Sequence, residues 1–314
     1  MSPARIATLP GAYYAQILGH GTSRGVASML IGMAAFVSND ALIKLASVTT
    51  PTGQLVTIRN LIATAVILSL IHLTGQAAHL RRSINAVVLA RSGFDILATL
   101  LYLLALFHMP IGNVTAINMA TPLAMTAAAA VFLRAPVGWR RWTAVIVGFI
   151  GVMLIVQPRA EGFNAYALLA VGSVIFIVAR DLTTRNIDQS IPSLVITLTN
   201  AVMVMLGALV MVAFEGWADI GLREYLLIVC AAFFLIAGYL LIVDAFRHGD
   251  LATVSPFRYT ALIWALLFGF LIWGDLPNLL AQVGIVIVVA SGLYVLHRER
   301  VRARDEAAKS VVSE

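Results

Sequence analysis

What this chain can fold into is limited first by its apolar runs, each close to the roughly 20 residues a helix needs to cross a bilayer. Broken at Pro, Gly and charged residues, they give ten expected spans, near 26–47, 52–73, 86–107, 112–133, 140–157, 164–182, 192–214, 222–246, 251–273 and 279–297. Only 11% of the residues are charged, whereas soluble domains carry about 25%. Several breaks are tight, such as His108-Met109-Pro110-Ile111-Gly112 and Arg247-His248-Gly249-Asp250, so neighbouring spans form antiparallel hairpins. No linker is long enough for a separate soluble domain. The expected fold is an all-α integral membrane protein.

The chain also repeats itself. Asp40-x3-Lys44-x6-Pro51-x7-Arg59 returns as Asp181-x3-Arg185-x6-Pro192-x7-Asn200, a shift of about 141 residues. The same shift lays Gly151 on Gly292 and Pro136 on Pro277. Each match alone is weak, and their common register carries the argument. The shift advances the chain by five spans, an odd number, so the second copy enters the membrane from the opposite side. Two inverted five-helix repeats are expected, 26–158 and 159–297, with an N-terminal arm at 1–25 and a basic tail at 298–314. Such symmetry places a substrate site between the halves near mid-membrane and lets one half rock against the other to alternate access.

The net charge of +6 does not point to nucleic acid, because the Arg residues lie between the apolar runs rather than on one face. One side of the expected layout holds Arg5, Arg24, Arg81, Arg82, Arg91, Arg134, Arg140, Arg141, Arg180, Arg185, Arg247, Arg298, Arg300, Arg302, Arg304 and Lys309. The other side holds Arg159 and Arg223, and Lys44, Arg59 and Arg258 fall inside spans. The positive-inside rule then puts both termini in the cytoplasm. The single cysteine, Cys230, excludes an internal disulfide and any Cys-based metal site. No cofactor or metal is expected. Self-association is left open.

Polar residues inside the spans mark where chemistry belongs, since a charge at the bilayer centre costs about 2.5–3.5 kcal/mol on insertion scales. Asp40 and Lys44 are one helical turn apart and can pair, either locking helix 1 to Arg59 or forming, with Asn39, a polar wall for a zwitterion. Asp95 lies about nine residues into helix 3, near the midplane, with no base beside it in sequence. It fits proton coupling or ammonium binding. Tyr102, Asn118 and Tyr239 are milder candidates, since a buried Asn or Tyr more often bonds a neighbouring helix than a ligand. Asp181 and Asp244 fall near helix ends, where solvated or snorkelling pairs are the default. Ser255-Pro256-Phe257-Arg258-Tyr259-Thr260 is the most unusual stretch. Pro256 frees a carbonyl, Arg258 can take a carboxylate in bidentate fashion, and Tyr259 and Trp264 supply aromatic surface. Alternatively Arg258 snorkels to the edge or pairs with Asp244 or Asp250.

With these residues the chain resembles the drug/metabolite transporter superfamily, in its ten-helix EamA branch. The resemblance covers nearly the whole chain. It is carried by Asn39-Asp40-Ala41-Leu42-Ile43-Lys44, Ile58-Arg59, Ala120-Thr121-Pro122-Leu123, Gly138-Trp139-Arg140-Arg141-Trp142, Pro256-Phe257-Arg258-Tyr259-Thr260 and Ala290-Ser291-Gly292-Leu293-Tyr294. Two departures stand out: Arg134-Ala135 where the family often has Gly-Glu, and Asp275 in place of the usual Glu. Within the branch the chain is most similar to amino-acid exporters of the YddG type. That implies a small-molecule substrate, an amino acid or related metabolite, and a cavity lined mainly by helices 1, 3, 4, 6, 8 and 9. A multidrug or nucleotide-sugar carrier is the alternative within the superfamily. An intramembrane enzyme is disfavoured: the six histidines are scattered, and HExxH and GxGD motifs are missing.

Overall fold

The computed structural model describes residues 11–135, 137–157, 164–188, 190–249 and 251–312. Among them are ten helices long and apolar enough to cross a membrane, and no strand. They are α1 (Ser23–Ala46), α2 (Thr52–Leu73), α3 (Ala86–His108), α4 (Ile111–Phe132), α5 (Trp139–Val156), α6 (Tyr166–Thr184), α7 (Ser193–Glu215), α8 (Leu222–His248), α9 (Ser255–Trp273) and α10 (Leu279–Arg298). Lipid offers no partner to a peptide group, and each unsatisfied one costs several kcal/mol, so apolar runs of this length close their hydrogen bonds within one helix. Arg5, Pro136, Arg159 and Asp250, which entered the sequence argument, lie outside the described residues.

Local chemistry sets the helix ends. The Asn85 side chain accepts from the backbone N–H groups of Val87 and Val88, both at 3.0 Å, and starts α3. At the start of α2 the Gly53 N–H donates to the Glu215 carboxylate at 2.7 Å, which places the last acid of α7 on a helix N-terminus. Beside it the Gln54 amide bonds the Ala218 backbone in both directions, each at 2.9 Å. These contacts tie α2 to α7 at one end of the bundle, called here the far end. The near end holds the start of α1 and the end of α10.

The helices pair as α1 with α8, α3 with α6, α2 with α7 and α5 with α10. Next come α3 with α7 and α2 with α8, then α1 with α9 and α4 with α6. Moving every helix five places along the chain turns this set of pairs into itself, consistent with a two-fold relation between the halves. Where α5 meets α10, the close approach requires glycine. A Cβ on Gly151 would sit 2.9 Å from the Gly284 carbonyl oxygen, and one on Gly284 would sit 2.6 Å from that of Gly151. The outward faces carry large exposed apolar side chains such as Phe132, Ile150, Phe214 and Leu271, as a lipid-facing surface does.

Two helices are discontinuous. α4 runs as Ile111–Asn118 and Thr121–Phe132, with Pro122 in the first turn of the second piece. α9 opens with a 3-10 segment, Ser255–Tyr259, continues as Thr260–Phe268, and ends in a wide π turn, Gly269–Trp273. The sequence reading began this span at 251. A separate turn, Leu251–Val254, precedes it instead, because Pro256 has no N–H to carry the α ladder through. The breaks occupy corresponding places: the shift of about 141 residues carries Asn118 onto Tyr259.

Candidate functional site

Three polar groups occupy the bundle at different depths. The first joins α1, α2 and α3. Asp40 accepts a hydrogen bond from the Tyr102 hydroxyl at 2.6 Å and another from the Asn39 amide at 2.9 Å. Arg59, 5% exposed, interacts electrostatically with it and with Tyr239. The expected Asp40–Lys44 pair does not form. Lys44 turns to the far end, where its ammonium donates to the Met109 carbonyl and lies 5.1 Å from the centre of the Trp273 ring. The carbonyl is free to accept because Pro110 and the chain turn there interrupt the helical ladder.

The second group joins α3, α6 and α7. Asp95 is held on one oxygen by Arg180 at 2.6 Å and on the other by the Asn200 amide. Arg180 also donates to Asp181 at 2.8 Å. Asp95 is therefore not the isolated acid that its sequence neighbours suggest. Its base comes from residue 180, which the sequence reading assigned to a cytoplasmic flank. The signal that could have found it is the register itself, which sets Arg180-Asp181 on Asn39-Asp40. Nearby, Arg91 donates to the Thr184 hydroxyl at 3.1 Å. Arg258 is exposed, and the charges that act on it are Asp181 and Arg180.

Tyr239 of α8 sits between the two groups. It interacts electrostatically with Asp95, Arg180, Arg91 and Arg59, and its ring stands edge-on to Phe36 with centroids 5.1 Å apart. The helix breaks meet close by. At the break in α4 the Thr121 hydroxyl donates to the Asn118 carbonyl at 2.6 Å, satisfying a group the broken ladder frees. Tyr259 of α9 donates across to the Met119 carbonyl at 3.4 Å. Trp264 is partly buried against the core, 6.2 Å from the Phe268 ring. Paired broken helices in matching positions of two repeats are where secondary transporters place their substrates.

The third group is a cavity of about 510 Å³ at the far end, lined by Lys44, Thr50, Phe107, His108, Glu215 and Trp273 among others. At the near end, Asp244 takes Arg24 at 2.7 Å, Ser28 at 2.7 Å and His248 at 3.1 Å, the exposed end pairing expected of it. One sequence coincidence is resolved by the fold. Gly21-Thr22-Ser23-Arg24-Gly25 spells the GxSxG pattern of serine hydrolases, but Ser23 lies within the continuous helix Gly11–Ala46, not on a strand-to-helix turn.

Ten membrane-crossing helices in two matched sets, with charged side chains held between them, define a membrane transporter of small metabolites. The chain belongs to the EamA-like transporter family, whose profile matches it twice, at residues 23–157 and 164–296. The matches begin in the register of the repeat. A riboflavin transporter of Vibrio cholerae is 28% identical over 91% of this chain and 97% of its own. A pseudopaline exporter of Pseudomonas aeruginosa is 24% identical over 85% of this chain and 94% of its own. An S-adenosylmethionine uptake transporter of Rickettsia bellii is 25% identical over 61% and 65%. A protein of known crystal structure has the same fold, with a TM-score of 0.58 at 19% identity over 86% of this chain and 96% of its own. The family and these relatives are transporters, not enzymes.

Proposed function

We propose that the chain exports amino acids or related small metabolites across the bacterial inner membrane by alternating access, with both termini in the cytoplasm. The observation that carries this reading is the presence of both charge signs in the bundle, with Asp40 offered on Tyr102 and Asn39 and Arg258 exposed near the opening of α9. In this reading Arg258 meets the carboxylate as the substrate enters from the near end. Asp40 receives the ammonium. Asp95 is the weaker candidate for that role, because Arg180 already pairs with it as a bonded cation. Tyr239, Tyr259 and Trp264 border the path of the apolar side chain. The pseudopaline exporter and the S-adenosylmethionine carrier support a metabolite of this kind, since S-adenosylmethionine itself bears an amino-acid end.

The Vibrio cholerae relative favours a second reading, riboflavin, which carries neither ammonium nor carboxylate and would leave Asp40 and Arg258 without a charged partner. Counterflow in proteoliposomes separates the two. Labelled amino acids, S-adenosylmethionine and riboflavin are offered in turn, with and without a pH gradient. Uptake of an amino acid supports the first reading, and uptake of riboflavin alone removes it. Dependence on the gradient identifies proton coupling. Arg258→Ala should abolish amino-acid counterflow while the protein still inserts, and flux at the wild-type level in this variant would remove Arg258 from the path.

A further inference from the structure

The two halves carry the same polar groups in exchanged places, with one missing. The shift of about 141 residues sets Asn39-Asp40 of α1 on Arg180-Asp181 of α6 and Arg59 of α2 on Asn200 of α7. It also sets Asp95 of α3 on Ile236 of α8. The packing follows the same exchange: α6 and α7 both lie against α3, as α1 and α2 both lie against α8. In one half the guanidinium of Arg180 and the amide of Asn200 converge on the carboxylate of Asp95. In the other half the guanidinium is Arg59 and the amide is Asn39, but the acid is absent. Ile236, 8% exposed, stands at its position.

The missing acid leaves a donor without an acceptor. Arg59 is 5% exposed, its Nε has no hydrogen-bond partner, and it forms no ion pair among the described residues. The Oδ1 of Asn39, an acceptor, is also buried without a partner and is open to a donor. Asp40 acts on Arg59 electrostatically, but no hydrogen bond joins the two among the described residues; each Asp40 oxygen holds one neutral donor, from Tyr102 or from the Asn39 amide, and keeps a lone pair free. A buried guanidinium donor left without an acceptor is costly, and a planar carboxylate is the group its fork of donors fits best.

We propose that Arg59 is a carboxylate-binding subsite which the transported molecule completes, its own carboxylate taking the place that Asp95 fills in the other half. Asp40 and the free Asn39 oxygen, beside Arg59, then accept the ammonium of the same molecule, and the Tyr239 phenol borders both. Arg258 acts earlier, at the near-end entrance. The subsite rests on the reading of the chain as a carrier of amino-acid-like metabolites.

Two measurements on the full-length protein in nanodiscs test it. The first needs no substrate. Ile236→Asp puts an acid where the repeat lacks one, and with Arg59 present the unfolding midpoint should stay close to that of the wild type. In an Arg59→Gln background the same substitution should lower the midpoint by several degrees more. If the two effects simply add, the subsite is overturned whatever the protein carries. The second measurement follows the stabilisation given by L-methionine and L-phenylalanine against methioninamide and phenylalaninamide. The acids should raise the midpoint and the amides should not. Arg59→Gln and Ile236→Asp should both erase the response, and Arg59→Lys should keep a reduced one. Equal effects of acids and amides, or a full response in Arg59→Gln, would overturn the proposal. Stabilisation by riboflavin alone, with the first measurement still showing coupling, would instead remove the amino-acid reading and with it a substrate carboxylate at Arg59.

Discussion

Asp40 and Asp95 are both intramembrane carboxylates, yet their surroundings divide the work between them. Asp95, with a side chain 7% exposed, is balanced by a cation and an amide, which suits a fixed joint between α3, α6 and α7. Asp40 has only neutral donors, a phenol and an amide, which suits a group that meets a cation from outside. Removing one partner of a buried pair leaves an uncompensated charge. Arg180→Gln should therefore destabilise the protein by about 2 kcal/mol, a value discounted because Arg180 is partly exposed. Arg180→Gln with Asp95→Asn should recover part of that loss, and thermal unfolding in detergent measures both. Equal destabilisation by the single and double variants would show that the pair is not coupled. Tyr102→Phe should cost about 1–2 kcal/mol by depriving Asp40 of its hydroxyl donor. Asp40 and Asp95 stood out in the sequence as charges in apolar runs. The partners of Asp95 did not, because Arg180 and Asn200 come from other helices.

At the scale of the element, the helices follow from composition and their contacts from small residues. Gly93 and Gly151 both lie mid-helix and look alike in sequence. The structure separates them. A Cβ on Gly93 meets nothing within 4 Å, whereas one on Gly151 meets the Gly284 carbonyl, Ile287 and Val288. Gly93→Ala should thus stabilise α3 by about 0.5–1 kcal/mol through its better helix propensity. Gly151→Val should cost about 1–3 kcal/mol by forcing α5 from α10. Opposite signs in the unfolding midpoints of the two variants test this. The break in α9 was readable from Pro256. The break in α4 was not, although Asn118 and Pro122 flank it, because Pro in the first turn of a helix is tolerated and announces nothing by itself.

For the molecule as a whole, the uneven distribution of Lys and Arg predicts that the near end faces the cytoplasm. With Cys230 replaced by Ser, a cysteine at Ser47, which lines the far-end cavity, should react with an impermeant maleimide in intact cells. A cysteine at Arg24 should react only after the membrane is opened, and the reverse pattern would invert the assigned topology. The sequence alone determined the number of spans, their hairpin order and the duplication. Span length is fixed by bilayer thickness, and a shared register survives in one dimension. Only the tertiary structure decided which charges meet. Arg180 and Asn200 reach Asp95 across 85 and 105 residues of chain. Arg59 keeps a buried Nε without an acceptor, and the register sets Ile236 where the other half has Asp95. Such pairings depend on which helix faces lie together, and apolar surface facing lipid reads the same in sequence as apolar surface facing protein.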